Sequence, residues 1–190
     1  REVIQTWKQQ PGMLGMRFAF HLPVLQQPLL EGKFDWVWSE AEKHGIALMI
    51  LVPQNMVKAI DSVAERYPGL KIVMDHMALT SGIPFEQAVA QFDQLLTIAR
   101  RPNVAVKASA LPCYAPDPYP FTRMQGYARK VYDSFGPKRL FWGSDLSRSP
   151  CPYRHQIDMW LKEASWLLEE DKPWVMGRGL CEWLNWKMPA

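Results

Sequence analysis

The sequence predicts an α/β protein of the (β/α)8, TIM-barrel-like type, seen in part. Five short apolar segments with strand character alternate with segments of helical periodicity, at intervals of about 30 to 35 residues, which is the spacing of parallel strands joined by helices. Neither a GxGxxG after a strand nor a GxxxxGK[ST] occurs, so the usual nucleotide-binding grounds for an open doubly wound sheet are missing and a barrel is favoured.

The first two strand candidates are 15–20 (GMRFAF) and 46–53 (IALMILVP), each short, rich in strand-compatible residues and bounded by Gly or Pro. Three more follow at 71–76 (KIVMDH), 103–109 (NVAVKAS) and 139–145 (RLFWGSD), after the turn signals Pro68-Gly69, Pro102 and Gly136-Pro137. Between them the clearest helix spans 85–101, where Val89, Phe92, Leu95, Leu96 and Ala99 recur at helical spacing, with Pro84 suited to its start and Pro102 to its end. Segments 34–44, 56–67, 121–135 and 153–169 behave similarly, and Gly45 stands where a left-handed C-cap is wanted. An eight-stranded barrel takes about 250 residues, so a 190-residue chain with five strands is expected to lack the N-terminal strands. The opening Arg-Glu-Val-Ile, without an initiator Met, agrees with that expectation. One domain over residues 1–190 is expected.

A composition of 48% hydrophobic and 22% charged residues is that of an ordinary globular domain. The net charge of +3 is small and the basic residues are scattered, which argues against nucleic acid. The longest apolar run, Ile46 to Pro53, falls far short of the roughly 20 residues of a membrane span. Cys113, Cys151 and Cys181 match neither a metal knuckle nor a disulfide frame and read as reduced thiols, with a cytoplasmic location expected.

Functional groups in such folds gather at the C-terminal strand ends. Here those ends carry Arg17 and His21, Gln54 and Asn55, Asp75 and His76, Lys107 and Ser109, and Ser144 and Asp145. His76 is able to ligate a metal, hydrogen-bond a carbonyl or move a proton, or else is a satisfied half-buried histidine. Asp145 is a metal ligand or general base, or else a capping carboxylate. Lys107 alternates with Val104 and Val106 and is an inward cation or a snorkelling strand-end lysine. Arg17 is costly to bury without an anion, which points to a carboxylate-bearing substrate or to an internal ion pair. His21, His44 and His155 read as peripheral.

KIVMDHMA, followed downstream by FGPKRLFWGSD, resembles the second family of amidohydrolases, in particular its lactonase-like branch of 2-pyrone-4,6-dicarboxylate and sugar-acid lactonases. NVAVKASAL, the loop reaching Tyr119-Pro120-Phe121, and the closing VMGRGLCEWLNW are similar to later parts of the same branch. The resemblance implies strands four to eight of an eight-stranded barrel, with Asp145 and His76 catalytic and Arg17, Gln54, Lys107 and Ser109 binding a small-molecule substrate. It further implies either one divalent metal, Zn or Mn, held by His76 and Asp145, or metal-independent catalysis. The family's His-x-His pair has no counterpart here, Leu51-Val52-Pro53-Gln54 stands where many members have a His, and Gly179 stands where an Asn is usual. The expected activity is hydrolysis of a lactone or cyclic ester. The alternatives are a metal-dependent decarboxylase, or an inactive fragment or binding module that associates with itself through an uncovered strand edge.

Overall fold

In a computed structural model that describes residues 2–188, five parallel strands form one sheet whose spatial order follows the chain. They are β1 (Gly15–Ala19), β2 (Ala47–Leu51), β3 (Ile72–Met74), β4 (Val104–Ser109) and β5 (Leu140–Gly143). Every crossover steps one place along the sheet, as around a barrel wall, and among the described residues the order reversal of a doubly wound sheet is absent. β1 and β5 are the two edges, so among the described residues the wall stays open.

The sheet's two faces differ. One face turns Leu48, Ile50, Ile72, Met74, Val104 and Val106 into the main core, where they are at most 1% exposed. Covering this face are α3 (Asp35–Lys43), α4 (Val57–Arg66) and α7 (Thr122–Phe135), which bury apolar residues three or four apart, such as Ile60 with Val63 and Ala128 with Val131. The opposite face carries Met49, Val73, Ala105 and Phe141 at its lower end, packed against Leu180 and Trp183 of α9 (Gly179–Leu184). The polar side chains that matter for function share this face, Arg17 and Lys107 level with these residues and Ser109 one pleat higher. Arg17 pairs with Met49, Lys107 with Phe141 and Ser109 with Gly143.

α9 closes the lower end because Gly179 lets it approach. A Cβ there would lie 2.9 Å from the Trp174 carbonyl oxygen and 3.1 Å from the Phe141 ring. The glycine at this position thus serves close packing.

Two helical expectations change, and two further helices appear. Segment 85–101 is broken into α5 (Phe85–Ala88), α6 (Asp93–Thr97) and a 3-10 turn, Ile98–Arg100. The Gln91 N–H at the break donates to the Gln54 side chain instead of to the helix ladder. The helix expected over 153–169 runs as α8 (Tyr153–Asp158) and a π turn, Met159–Glu163, and Ala164 then leaves helical geometry. Ahead of α3, α2 (Pro23–Leu30) forms where sequence periodicity showed nothing, started by Pro23 in its first turn. Glu2–Thr6 adds a short α1 at the N-terminal end. Among the described residues no helix is long and apolar enough to cross a membrane, and all three cysteines are free.

Candidate active site

The C-terminal ends of β3, β4 and β5 each turn through a left-handed residue that is not glycine: His76 (φ 52°), Ala110 (φ 57°) and Asp145 (φ 47°). Met77 and Ala78 continue the left-handed turn after His76. Each such residue costs about 1–2 kcal/mol, and strain of this kind persists where surrounding structure imposes it, characteristically at functional sites. The turns swing His76 and Asp145 toward each other, with His76 Nε2 3.8 Å from Asp145 Oδ2.

Beneath them lies Asp75, fully buried. One carboxylate oxygen accepts a 2.6 Å hydrogen bond from Arg17 Nε and the other pairs with Lys107 Nζ, also at 2.6 Å. Burial raises this carboxyl, yet the two cations outweigh it and hold Asp75 below the usual carboxylate range. Arg17 has the internal ion pair that the sequence allowed, and its half-exposed side chain also faces the cleft.

His76 is 5% exposed. Burial pushes its imidazole down, against the pull of the Asp75 carboxylate, which favours the uncharged ring. Ser109 Oγ stands 2.7 Å from His76 Nδ1, and the Ser109 carbonyl oxygen 3.4 Å from the same nitrogen. Room for this contact comes from Gly143 on the adjacent strand, where a Cβ would come 3.0 Å from Ser109 Cβ and reach ordinary contact with the Lys107 stem.

Above these groups opens a cleft of about 720 Å³ whose walls include Arg17, His21, Asn55, Lys107, Tyr114 and Arg148, with His76, Ser109 and Asp145 at the bottom. Three cations (Arg17, Lys107, Arg148) stand against two carboxylates (Asp75, Asp145), an excess of one positive charge that suits an anionic ligand.

Of the sequence-derived site residues, His76, Asp145, Arg17, Lys107 and Ser109 come together in the cleft. Gln54 does not line it. The 3-10 turn Gln54–Met56 carries this side chain into the protein, where its oxygen holds Gln91 N–H, and Asn55 faces the cleft in its place. Ser109 spends its hydroxyl on His76. His21 lines the cleft although it read as peripheral. Sequence reasoning passed over Tyr114 and Arg148, whose guanidinium lies 5.9 Å from the Tyr114 ring centre and 3.5 Å from Asp145 Oδ2. Their available signal was closeness in sequence to Ser109 and Asp145.

A catalytic zinc takes three protein ligands. Among the described residues no three His, Cys, Asp or Glu side chains gather closely enough to hold one ion. His76 and Asp145 are two donors, and Asp75 is committed to Arg17 and Lys107. The residues present therefore do not complete a Zn or Mn site.

A family model described as amidohydrolase matches residues 2–178. An L-fucono-1,5-lactonase of Burkholderia ambifaria is 37% identical over 125 residues, which is 64% of this chain and 40% of the relative. The chain thus spans under half the length of that curated relative. Among solved structures, an amidohydrolase of Burkholderia multivorans with bound zinc superposes with a TM-score of 0.78 at 18% identity, over 91% of this chain and 64% of the other. A putative 2-pyrone-4,6-dicarboxylic acid hydrolase of Pseudomonas putida gives a TM-score of 0.69 at 16% identity, over 100% of this chain and 78% of the other. These two likenesses concern the fold.

Proposed function

This chain belongs to the amidohydrolase family, and we propose that it hydrolyses a lactone or related cyclic ester of a carboxylated small molecule. The observation that carries the reading is the placement of His76 Nε2 and Asp145 Oδ2 3.8 Å apart at the bottom of a cleft walled by Arg17 and Lys107. Similarity to the Burkholderia ambifaria lactonase supports the ester substrate.

Asp145 acts as general base. It takes a proton from water as the water oxygen attacks the ring carbonyl. Negative charge grows on the carbonyl oxygen, and His76 stands beside that position; one such donor is worth about a hundred- to a thousandfold in kcat. Collapse of the intermediate breaks the ring carbon–oxygen bond, and the proton held by Asp145 passes to the departing alkoxide. The product is a hydroxy acid. Arg17 and Lys107, fixed from below by Asp75, hold the substrate carboxylate, with Arg17 offering the guanidinium nitrogens that Asp75 does not use.

Asp145→Asn keeps the shape and removes the base. We expect kcat for lactone opening, followed by acid release with a pH indicator, to fall by about a hundred- to ten-thousandfold. Unchanged turnover sinks the proposal. Release of carbon dioxide instead of acid would replace it with carbon–carbon cleavage.

A further inference from the structure

Ser109 lies at the end of β4 with its side chain buried, 2.7 Å from His76 Nδ1. Two arrangements of hydrogens fit that contact. In the first, Nδ1 carries the imidazole proton and donates it to Ser109 Oγ. The serine hydroxyl hydrogen then needs another acceptor, and among the described residues no other side chain or backbone group engages Ser109 Oγ. The Nε2 lone pair would also face the Asp145 carboxylate across 3.8 Å, two electron-rich groups turned toward each other.

In the second arrangement the Ser109 hydroxyl donates to Nδ1, and Nε2–H points at Asp145 and the cleft. The serine hydroxyl now has an acceptor, at the expense of the long 3.4 Å contact of Nδ1 with the Ser109 carbonyl oxygen, and Nε2–H faces the Asp145 carboxylate at 3.8 Å, an attractive approach longer than a hydrogen bond. A buried donor left unpaired disfavours the first arrangement by roughly tenfold or more. We infer that Ser109 is a positioning residue that fixes the proton of His76 on Nε2, making His76 a hydrogen-bond donor into the cleft and taking that nitrogen out of use as a metal ligand. Only the use of Nε2–H on a substrate carbonyl oxygen rests on the hydrolytic reading.

Replacing Ser109 has a directional consequence. Without the hydroxyl, the remaining neighbour of Nδ1 is the residue 109 carbonyl oxygen at 3.4 Å, which only accepts. In Ser109→Ala protonation on Nδ1 no longer strands a hydroxyl, so the Nδ1-protonated form rises against the Nε2 form that Asp145 still favours, whereas Ser109→Thr keeps a hydroxyl and the original tautomer.

The test is nitrogen NMR of the full chain labelled with 15N-histidine, held above the ordinary histidine pKa of about 6.5. Among the four histidines, the His76 signals are identified by their loss in His76→Gln. The inference expects a protonated Nε2 and a bare Nδ1 in the wild type, a shift of protonation toward Nδ1 in Ser109→Ala, and the wild-type pattern in Ser109→Thr. Alongside, kcat for the lactone falls about ten- to a hundredfold in Ser109→Ala, the usual loss when an orienting partner is removed. A proton on Nδ1 in the wild type overturns the inference, and that spectrum decides even if a variant does not fold. An unchanged tautomer in folded Ser109→Ala also overturns it, because a purely structural serine would shift stability and leave the tautomer alone. A wild-type Nε2–H in a chain that opens no lactone supports this inference while refuting the proposed function.

Discussion

Asp75→Asn tests whether the buried carboxylate unites the cation pair of the cleft. The substitution keeps shape and volume but removes a charge that touches Arg17 Nε and Lys107 Nζ at 2.6 Å each. It also brings an amide NH2 up against one of those two donors. Breaking a fully buried pair costs about 3–5 kcal/mol, and an exposed pair about 0–1 kcal/mol. Here the carboxylate is wholly buried, while the Arg17 side chain is 50% and the Lys107 side chain 24% exposed, so both cations recover hydration. A loss of about 2 kcal/mol follows from that intermediate position between the two limits. For a chain of this size it lowers Tm by about 4–8 °C.

Thermal melts of wild type and variant across pH give the sign. Asp75 has a folded pKa below its unfolded value of about 3.9. Its contribution is therefore fully present above that unfolded value and is lost as pH falls through the lower folded pKa. The difference in Tm should hold steady from neutral pH down to about 5 and shrink below about 4. Substrate affinity gives a second readout, since loosened Arg17 and Lys107 raise KM more than they lower kcat. An unchanged Tm at neutral pH, or a gap that widens in acid, refutes the reasoning.

Gly143→Ala places a Cβ 3.0 Å from Ser109 Cβ and close to the Lys107 stem, so overpacking costs about 1–3 kcal/mol; kcat should drop in a variant that circular dichroism shows to be folded, and full activity would count against the tight contact. Gly179→Ala improves helix propensity by about 1 kcal/mol, but its Cβ meets the backbone oxygen of Trp174 at 2.9 Å and that of Lys138 at 3.3 Å, neither of which moves freely. Urea unfolding should therefore show a net loss of up to about 2 kcal/mol, and a stabilised variant would show that α9 has room to shift.

Much of the fold was legible because its signals are local. The five strands are short apolar runs stopped by Gly or Pro, and each was found within a few residues of its place, as at 46–53 for β2 (Ala47–Leu51). His76 and Asp145 stood out for the same reason, since a polar residue closing an apolar strand is visible in one dimension. Gln54 was misread because facing in or out depends on a 3-10 turn that the pattern does not reveal. The long helix over 85–101 was misread because one side-chain bond, Gln54 to Gln91 N–H, joins residues 37 apart.

The amino-acid sequence by itself determined the alternation of strand and helix, the parallel sheet and the strand ends where polar groups collect, since these follow from hydrophobic periodicity and turn chemistry within a few residues. Only the tertiary structure decided which of those groups meet. Arg17 finds Asp75 across 58 residues, and Ser109 finds His76 across 33. Such pairings depend on register, on glycines that admit close approach and on left-handed turns held by packing, and none of these leaves a periodic trace along the chain.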